Sequence, residues 1–488
     1  VQFGSRAEQG ENKIPRPADE KRGARDDATL EKIQTVPVPN HDSNRLLPGR
    51  ASLQGAHGAE APPPVDCGGM HSAETTRDLV PVAQEKARIR TILFLLCVAA
   101  LGVFLSLKFS ALLKGSDFPD FYCAARMLAE GHGHQLYDAN LQRQYQARYS
   151  GRVGTLYIHP PFEAAVYLAV AWLPLSKAYL LWFWLNLIFL GIGACLMARE
   201  ELLPWCWTSW LALSLTFVPV LLCLQQGQDS ILLLLSIILG FAAWKRERPY
   251  VAGCWLGLGL FKFQLALPLI LALLFASVRS SNRGKLAKGF GLTAVALAAV
   301  SAAISGWRIF VVYPQFLIHL QALPFAGIVP DAMANFRGLV YWMLQGRQST
   351  AAAIITMALS AGSFIYMLNV WRRGQAEDGT SPGQHISSAF SSALLFAILV
   401  SYHLNPHDLS LLLIPFAILL EQIFEQKSYK TTSEKTAAFR WVMFSLMVIL
   451  FLPPLHVWAL PTGRYAIIAL PVFILFLAVT TQRQKQPR

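Results

Sequence analysis

From Thr91 to the C-terminus, apolar runs long enough to cross a bilayer recur almost without pause, and this decides the class of fold. A membrane span needs about 20 apolar residues. In lipid, a backbone satisfies its polar groups only as a helix or as a closed barrel. The runs do not alternate apolar and polar residues as barrel strands do, so they read as helices. They fall near 91–113, 162–175, 178–197, 205–224, 229–244, 251–277, 287–306, 351–371, 388–403, 408–424, 439–458 and 464–480. The expectation is an all-α polytopic membrane protein with about 11–13 transmembrane helices.

Composition agrees: 54% of the 488 residues are hydrophobic and 15% charged, where a soluble chain carries about a quarter. The net charge of +13 does not argue for nucleic acid, because Lys and Arg sit in short loops between the runs. The seven cysteines form no CxxC pair and read as small buried hydrophobes. Residues 1–88 mix both charge signs with Pro and Gly (PRPADEKRGARDD, GAEAPPPVDCGG) and carry few large hydrophobes. They predict a disordered cytoplasmic tail before a membrane domain over 89–488. No leader-peptide pattern opens the chain, and 91–113, preceded by Lys86, Arg88 and Arg90, reads as a signal anchor.

The Lys/Arg rule then assigns sides. Arg199, KRER at 245–248, RSSNRGKLAK at 279–288, Arg372–Arg373, the 427–440 segment and the C-terminal QRQKQPR are placed inside. The loops 114–159 and 307–350, the turns QQGQDS and SYHLNPHD, PPLHVWALPTGR and the FKFQ midpoint of run 251–277 fall outside. That run, long and interrupted by Lys262 and Gln264, predicts two helices or half-helices meeting at the outer side. Segment 162–197 should cross once by charge, yet it reads as two helices split at Pro174–Lys177. The loops assigned outside hold Asp, His, Asn, Gln and Tyr in compact clusters, as a site at the membrane would.

The first outer loop reads GSDFPDFYCAARMLAEGHGHQLYD. Ser116 or Asp117 suits an N-cap, Pro119 the first turn and Gly131 the C′ position. Phe118, Phe121, Tyr122, Ala125 and Leu128 share one face, which predicts an amphipathic helix on the outer membrane surface. A second follows through LYDANLQRQYQARY. The plainer role for Asp117 is that cap; for Asp120 it is a helix-dipole partner.

SDFPDFYCAARMLAEG, LYD, YIHPPF, LWFWLNL, QQGQD and LGLFKFQLALPL, in this order, resemble glycosyltransferase family 87. The resemblance covers roughly Thr91 onward. It implies a GT-C type fold and transfer of a sugar, mannose in some relatives, from a polyprenyl-phosphate donor to a hydroxyl on a glycolipid, glycan or protein. It implies that Asp117, followed by Phe121, Tyr122, Ala124 and Ala125, is the catalytic carboxylate. It also implies the bacterial inner membrane, with the site facing the periplasm or exterior.

Such a transfer needs one base to take the acceptor proton and a cation or donor for the leaving phosphate. Lys262 and Arg337 are the cationic candidates, against snorkelling and an ordinary loop cation as plainer roles. Asp120, Tyr122, His159, Gln228, Asp229, Gln264, Asn335, His403, His407 and Asp408 complete the expected substrate-binding set. Asp229 also suits an N-cap, and Glu163 a helix-dipole partner. SYHLNPHDL lacks a distant third ligand, so no metal or other cofactor is indicated. No phosphate-binding loop, GxGxxG, HExxH or GxSxG is present, and no soluble domain is expected for a nucleotide-sugar donor. The competing classes are a transporter or lipid-sugar flippase, which would favour paired repeats, and an O-antigen-ligase-like transferase, with its residues in a large late loop.

Overall fold

The computed structural model describes residues 113, 115–203, 206–276, 282–320, 328–347, 349–376, 382–425 and 434–482. The predicted tail over 1–88 and all but the end of run 91–113 lie outside the described residues. Everything regular among the described residues is helical. The first outer loop supplies α1 (Phe118–Ala129) and α2 (Ala139–Ser150). Next come α3 (Pro161–Ala171), α4 (Leu175–Arg199), α5 (Trp207–Ser214), α6 (Val218–Gln226) and α7 (Ser230–Lys245). A 3-10 corner at Gly259–Lys262 joins α8 (Pro249–Leu258) to α9 (Phe263–Ala276). Then follow α10 (Asn282–Ser305), α11 (Ile309–His319), α12 (Phe336–Met343), α13 (Thr350–Ala376) and α14 (Pro382–Val400). A 3-10 stretch, Pro406–Leu412, leads into α15 (Leu413–Glu425), before α16 (Glu434–Phe451), α17 (Pro453–Ala459) and α18 (Ala469–Gln482).

By length and apolarity, four described helical stretches suffice to cross a membrane, or up to six if bent pairs count as single spans. Bends and the undescribed residues break up the longer runs expected from sequence. Segment 162–197 resolves into α3, whose 11 residues reach only about 16 Å, and the 25-residue α4. Only α4 can traverse a core of about 30 Å, which removes the parity conflict.

The stretch Pro249–Ala276 is long and apolar enough for one crossing, yet it folds back at the corner. Gly253 lies against Leu286 and Phe290, Gly257 against Thr293, and Gly289 against Tyr250, so α8 and α10 run parallel. At the other end, the Arg283 guanidinium sits 5.6 Å from the Phe275 ring centroid. Both ends of the stretch therefore lie beside the first turns of α10. A straight helix of that length would part them by about 40 Å. The expected pair of half-helices meeting near FKFQ is what forms.

This corner sorts the polar residues. Lys245 and Arg246 both meet Glu200 at the end of α4, and the starts of α8 and α10 lie at that same end. At the opposite end, Tyr179 of α4 donates to Gln225 O, Ser230 opens α7 beside Lys262, and Gly133 packs on Ile304 of α10. Thr350 of α13 lines a cavity there with Tyr402, so Arg372 and Arg373 point to the basic end. Among the described residues, the basic positions at 199, 245–248, 282–288 and 372–373 thus lie at the opposite end of the helices from the turns QQGQDS and FKFQ and the cavity lined by Tyr402.

One expectation changes. α1 is not a surface helix with a single buried face. Phe118, Phe121, Tyr122, Cys123, Ala124, Ala125 and Met127 are each at most 2% exposed. They pack with Tyr167 of α3, Tyr179 of α4 and the α11 residues Ile309 and Phe316 in one core. The apolar stripe looked one-sided because small residues, Cys123 and Ala124, filled its back.

Candidate active site

Asp117 occupies the N-cap position of α1, but its side chain makes no cap hydrogen bond. Its N–H donates to Gln226 O at 3.1 Å, and Gln228 Nε2 donates to its Oδ2 at 2.7 Å. The capping role expected as the plainer alternative is therefore absent. Asp138 provides the contrast: it caps α2 by accepting from the N–H groups of Asn140 and Leu141.

The turn Gln226–Asp229 is seated hard against α1. Gly227 has φ +65°, and a Cβ there would stand 2.7 Å from Phe118 Cβ. Only glycine suits both demands. Trp182 Nε1 donates to Gln228 O at 3.4 Å, so α4 holds the turn from behind. These contacts set Gln228 over Asp117 even though 111 residues separate them.

Asp117, Asp120, Thr155, Tyr157, His159, Gln228, His403 and Asn405 line a cavity of about 100 Å³. Burial pushes Asp117 above its ordinary value, against the pull of Gln228, Lys262 and Arg152. Burial, and then the neighbouring Asp117 charge, push Asp120 up to about 8 against its Thr155 and Gln146 hydrogen bonds. Gln146 Nε2 donates to Asp120 Oδ1 at 2.9 Å, and Thr155 is bonded to Oδ2. Both oxygens of Asp120 are thus engaged, whereas among the described residues Asp117 accepts a side-chain hydrogen bond at Oδ2 alone and lines the cavity. Burial lowers both His159 and His403 to about 4, so both rings are neutral at pH 7.

His159 and His403 also line a second cavity of about 220 Å³, with Gln264, Phe261, Tyr313 and Tyr402. Tyr402 in turn borders a third, about 570 Å³, lined by Arg337, Tyr341, Ser349, Thr350 and Met357. Arg337 donates to Tyr402 O at 2.8 Å and lies 4.1 Å from its ring centroid. The three cavities form a sequence through shared walls.

Other expected residues are brought close but sealed. Lys262 is 1% exposed. It donates to Asp408 Oδ1 at 2.7 Å, to Ser230 Oγ at 3.0 Å and to His407 Nε2 at 3.5 Å, and lies 3.1 Å from Asp229 Oδ1. His407 Nδ1 bonds Gln226 Oε1 at 2.8 Å, which ties this network to the turn below Asp117. Asp229 stands at the N-cap of α7 without capping it, since its carboxylate faces Lys262. Asp408 accepts from Asn405 N–H at 2.8 Å. Tyr122 leaves the site altogether, donating to Leu173 O. Asn335 caps α12 through Gly338 N–H and donates to Ser401 O at 2.7 Å.

Residues 157–401 match glycosyltransferase family 87. The chain belongs to this family. It is a membrane glycosyltransferase. No curated protein and no solved structure matches it. The family's matched span holds Gln228, Lys262 and Arg337 but begins after Asp117, so the geometry alone joins that carboxylate to the rest.

Sequence reasoning missed Gln146, Thr155 and Tyr313, whose partners lie in other elements. Glu163 was assigned to its helix dipole, although its carboxylate approaches His159 Nδ1 at 2.9 Å. The HPPFE spacing, an i,i+4 pair across a helix start, was the available signal.

Proposed function

We propose that this enzyme transfers a hexose, mannose in the first instance, from a polyprenyl-phosphate donor to a hydroxyl acceptor by one inverting displacement. The observation that carries this is the Asp117 carboxylate, placed at a helix start yet withheld from capping. Among the described residues its side chain is held at one oxygen, by Gln228, and it lines the cavity. In the reaction the acceptor O–H gives its proton to Asp117. Its oxygen forms the new bond to the anomeric carbon as the carbon–phosphate-oxygen bond breaks. The polyprenyl phosphate leaves with that electron pair. A single base suffices for inversion at one centre, without a second nucleophilic carboxylate. The raised affinity of Asp117 for a proton suits it to this role.

A lipid-linked donor is supported by the absence of nucleotide-phosphate motifs. It is also supported by the Arg337 cavity, where a guanidinium faces a wall of mixed hydroxyl and apolar residues. The proposed setting is a bacterial inner membrane; the positive-inside rule supports a cytoplasmic basic end, with the cavities on the periplasmic or exterior side. The acceptor hydroxyl belongs to a glycolipid, glycan or protein.

The test supplies purified Asp117→Asn protein with a polyprenyl-phosphate hexose and candidate acceptors. Transfer should fall about 10²–10⁴-fold, with an unchanged circular-dichroism spectrum. Transfer equal to wild type would remove Asp117 from the chemistry.

A further inference from the structure

The transfer scheme makes no use of three buried groups near its cavity. His159, Glu163 and Asp229 each turn one ligand atom toward a common point, all within 4.8 Å of one another. Glu163 is 2% exposed and Asp229 1%. Among the described residues Glu163 Oε1 and Asp229 Oδ2 meet no nitrogen or hydroxyl donor; the two carboxyl groups meet each other. Each residue's other oxygen has one close cationic or imidazole neighbour: His159 Nδ1 for Glu163 and Lys262 Nζ for Asp229.

Charge points the same way. Glu163, Asp229 and Asp408 bring three carboxyl groups into a sealed place with the single ammonium of Lys262. Glu163 and Asp229 meet each other, which without an ion needs a proton between them; a divalent cation is the occupant that lets both stay ionised. One pair already stands at ligand spacing: ligands about 2.1 Å from one ion and at right angles lie about 3 Å apart, as His159 Nδ1 and Glu163 Oε2 do at 2.9 Å, and Asp229 would close in from within 4.8 Å. One imidazole and two carboxylates suit a first-row ion such as Mn²⁺ or Zn²⁺.

We propose that His159, Glu163 and Asp229 bind one divalent first-row cation. Lys262, on the far oxygen of Asp229, is its outer partner, of the kind that orients metal ligands. His159 also lines the two smaller cavities, which gives the ion a route in and room for water or substrate oxygen. The proposal stands apart from the donor, the acceptor and the role of Asp117. It goes beyond the sequence reading, where no metal was indicated, because His159 and Glu163 pair only across the start of α3 and meet Asp229 only through the fold.

The test uses the full chain in detergent, stripped with EDTA and titrated with Mn²⁺, with free Mn²⁺ read by electron paramagnetic resonance. About one Mn²⁺ per chain should bind, Zn²⁺ should displace it, and melting temperature should rise with ion concentration. Glu163→Gln and His159→Gln should each weaken binding at least tenfold, whereas Asp117→Asn should leave it unchanged. The wild-type titration decides even if a variant does not fold. No Mn²⁺ or Zn²⁺ bound at millimolar concentration would overturn the proposal and leave a shared proton between the carboxylates. Binding lost in Asp117→Asn and kept in Glu163→Gln would overturn it too.

Discussion

Gln228 and Asp229 are adjacent in sequence but serve two centres of opposite character. Gln228 turns to Asp117, which lines a cavity. Asp229 turns to Lys262, in a network with Asp408, Ser230 and His407 that is closed to solvent. The same residue types appear in both. What differs is compensation: the closed centre sets a buried ammonium between its carboxylates, and the open one leaves a carboxylate for chemistry. Structural charge is neutralised on the spot, whereas a reacting group is held from one side only.

The comparison breaks most violently at Lys262. Lys262→Met leaves Asp229 and Asp408 buried without a counter-charge. Removing one partner of a buried pair costs about 3–5 kcal/mol. The variant should fail to yield monodisperse protein, and adding Asp408→Asn should recover part of the yield. Normal folding of Lys262→Met would show that the closed centre is not held by charge.

Gln228→Ala tests the link between centres. Loss of a hydrogen bond to a charged group, worth about 1.5–3 kcal/mol, should lower transfer about 10–100-fold while melting temperature barely moves. A melting temperature that falls with unchanged transfer would place Gln228 in the closed centre instead.

The smallest effect concerns Asp120. Its folded-state value is raised to about 8, so the folded protein holds a proton that the unfolded chain releases near pH 4. The stability this brings is complete below about pH 4 and declines as pH rises toward 8. Wild type should therefore lose melting temperature over that interval more steeply than Asp120→Asn. Parallel curves would mean that Asp120 is ionised in the fold.

The open centre was more legible in sequence than the closed one. Pro119 and Gly131 bracket α1 by local rules, and FKFQ announced the corner because a lysine interrupts an apolar run. Basic loops sorted the two ends, since charge bias acts on each loop separately. Lys262 and Asp408 are 146 residues apart, and no local pattern joins them. Nor could a hydrophobic stripe reveal that α1 is enclosed on nearly every side, because alanine and cysteine carry no strong signal either way.

The fold-back of α8 and α9 bears on how this protein is made. Insertion machinery that reads only hydropathy meets a predominantly apolar stretch of 28 residues at Pro249–Ala276 and has cause to thread it straight through. One such error would invert every later segment, carrying Arg337 and Asp408 to the wrong face. What opposes it is the close seating of α8 on α10 at Gly253, Gly257 and Gly289, where small residues let helices approach as they do in membranes. The seat that receives the hairpin therefore exists only once α10 has been made.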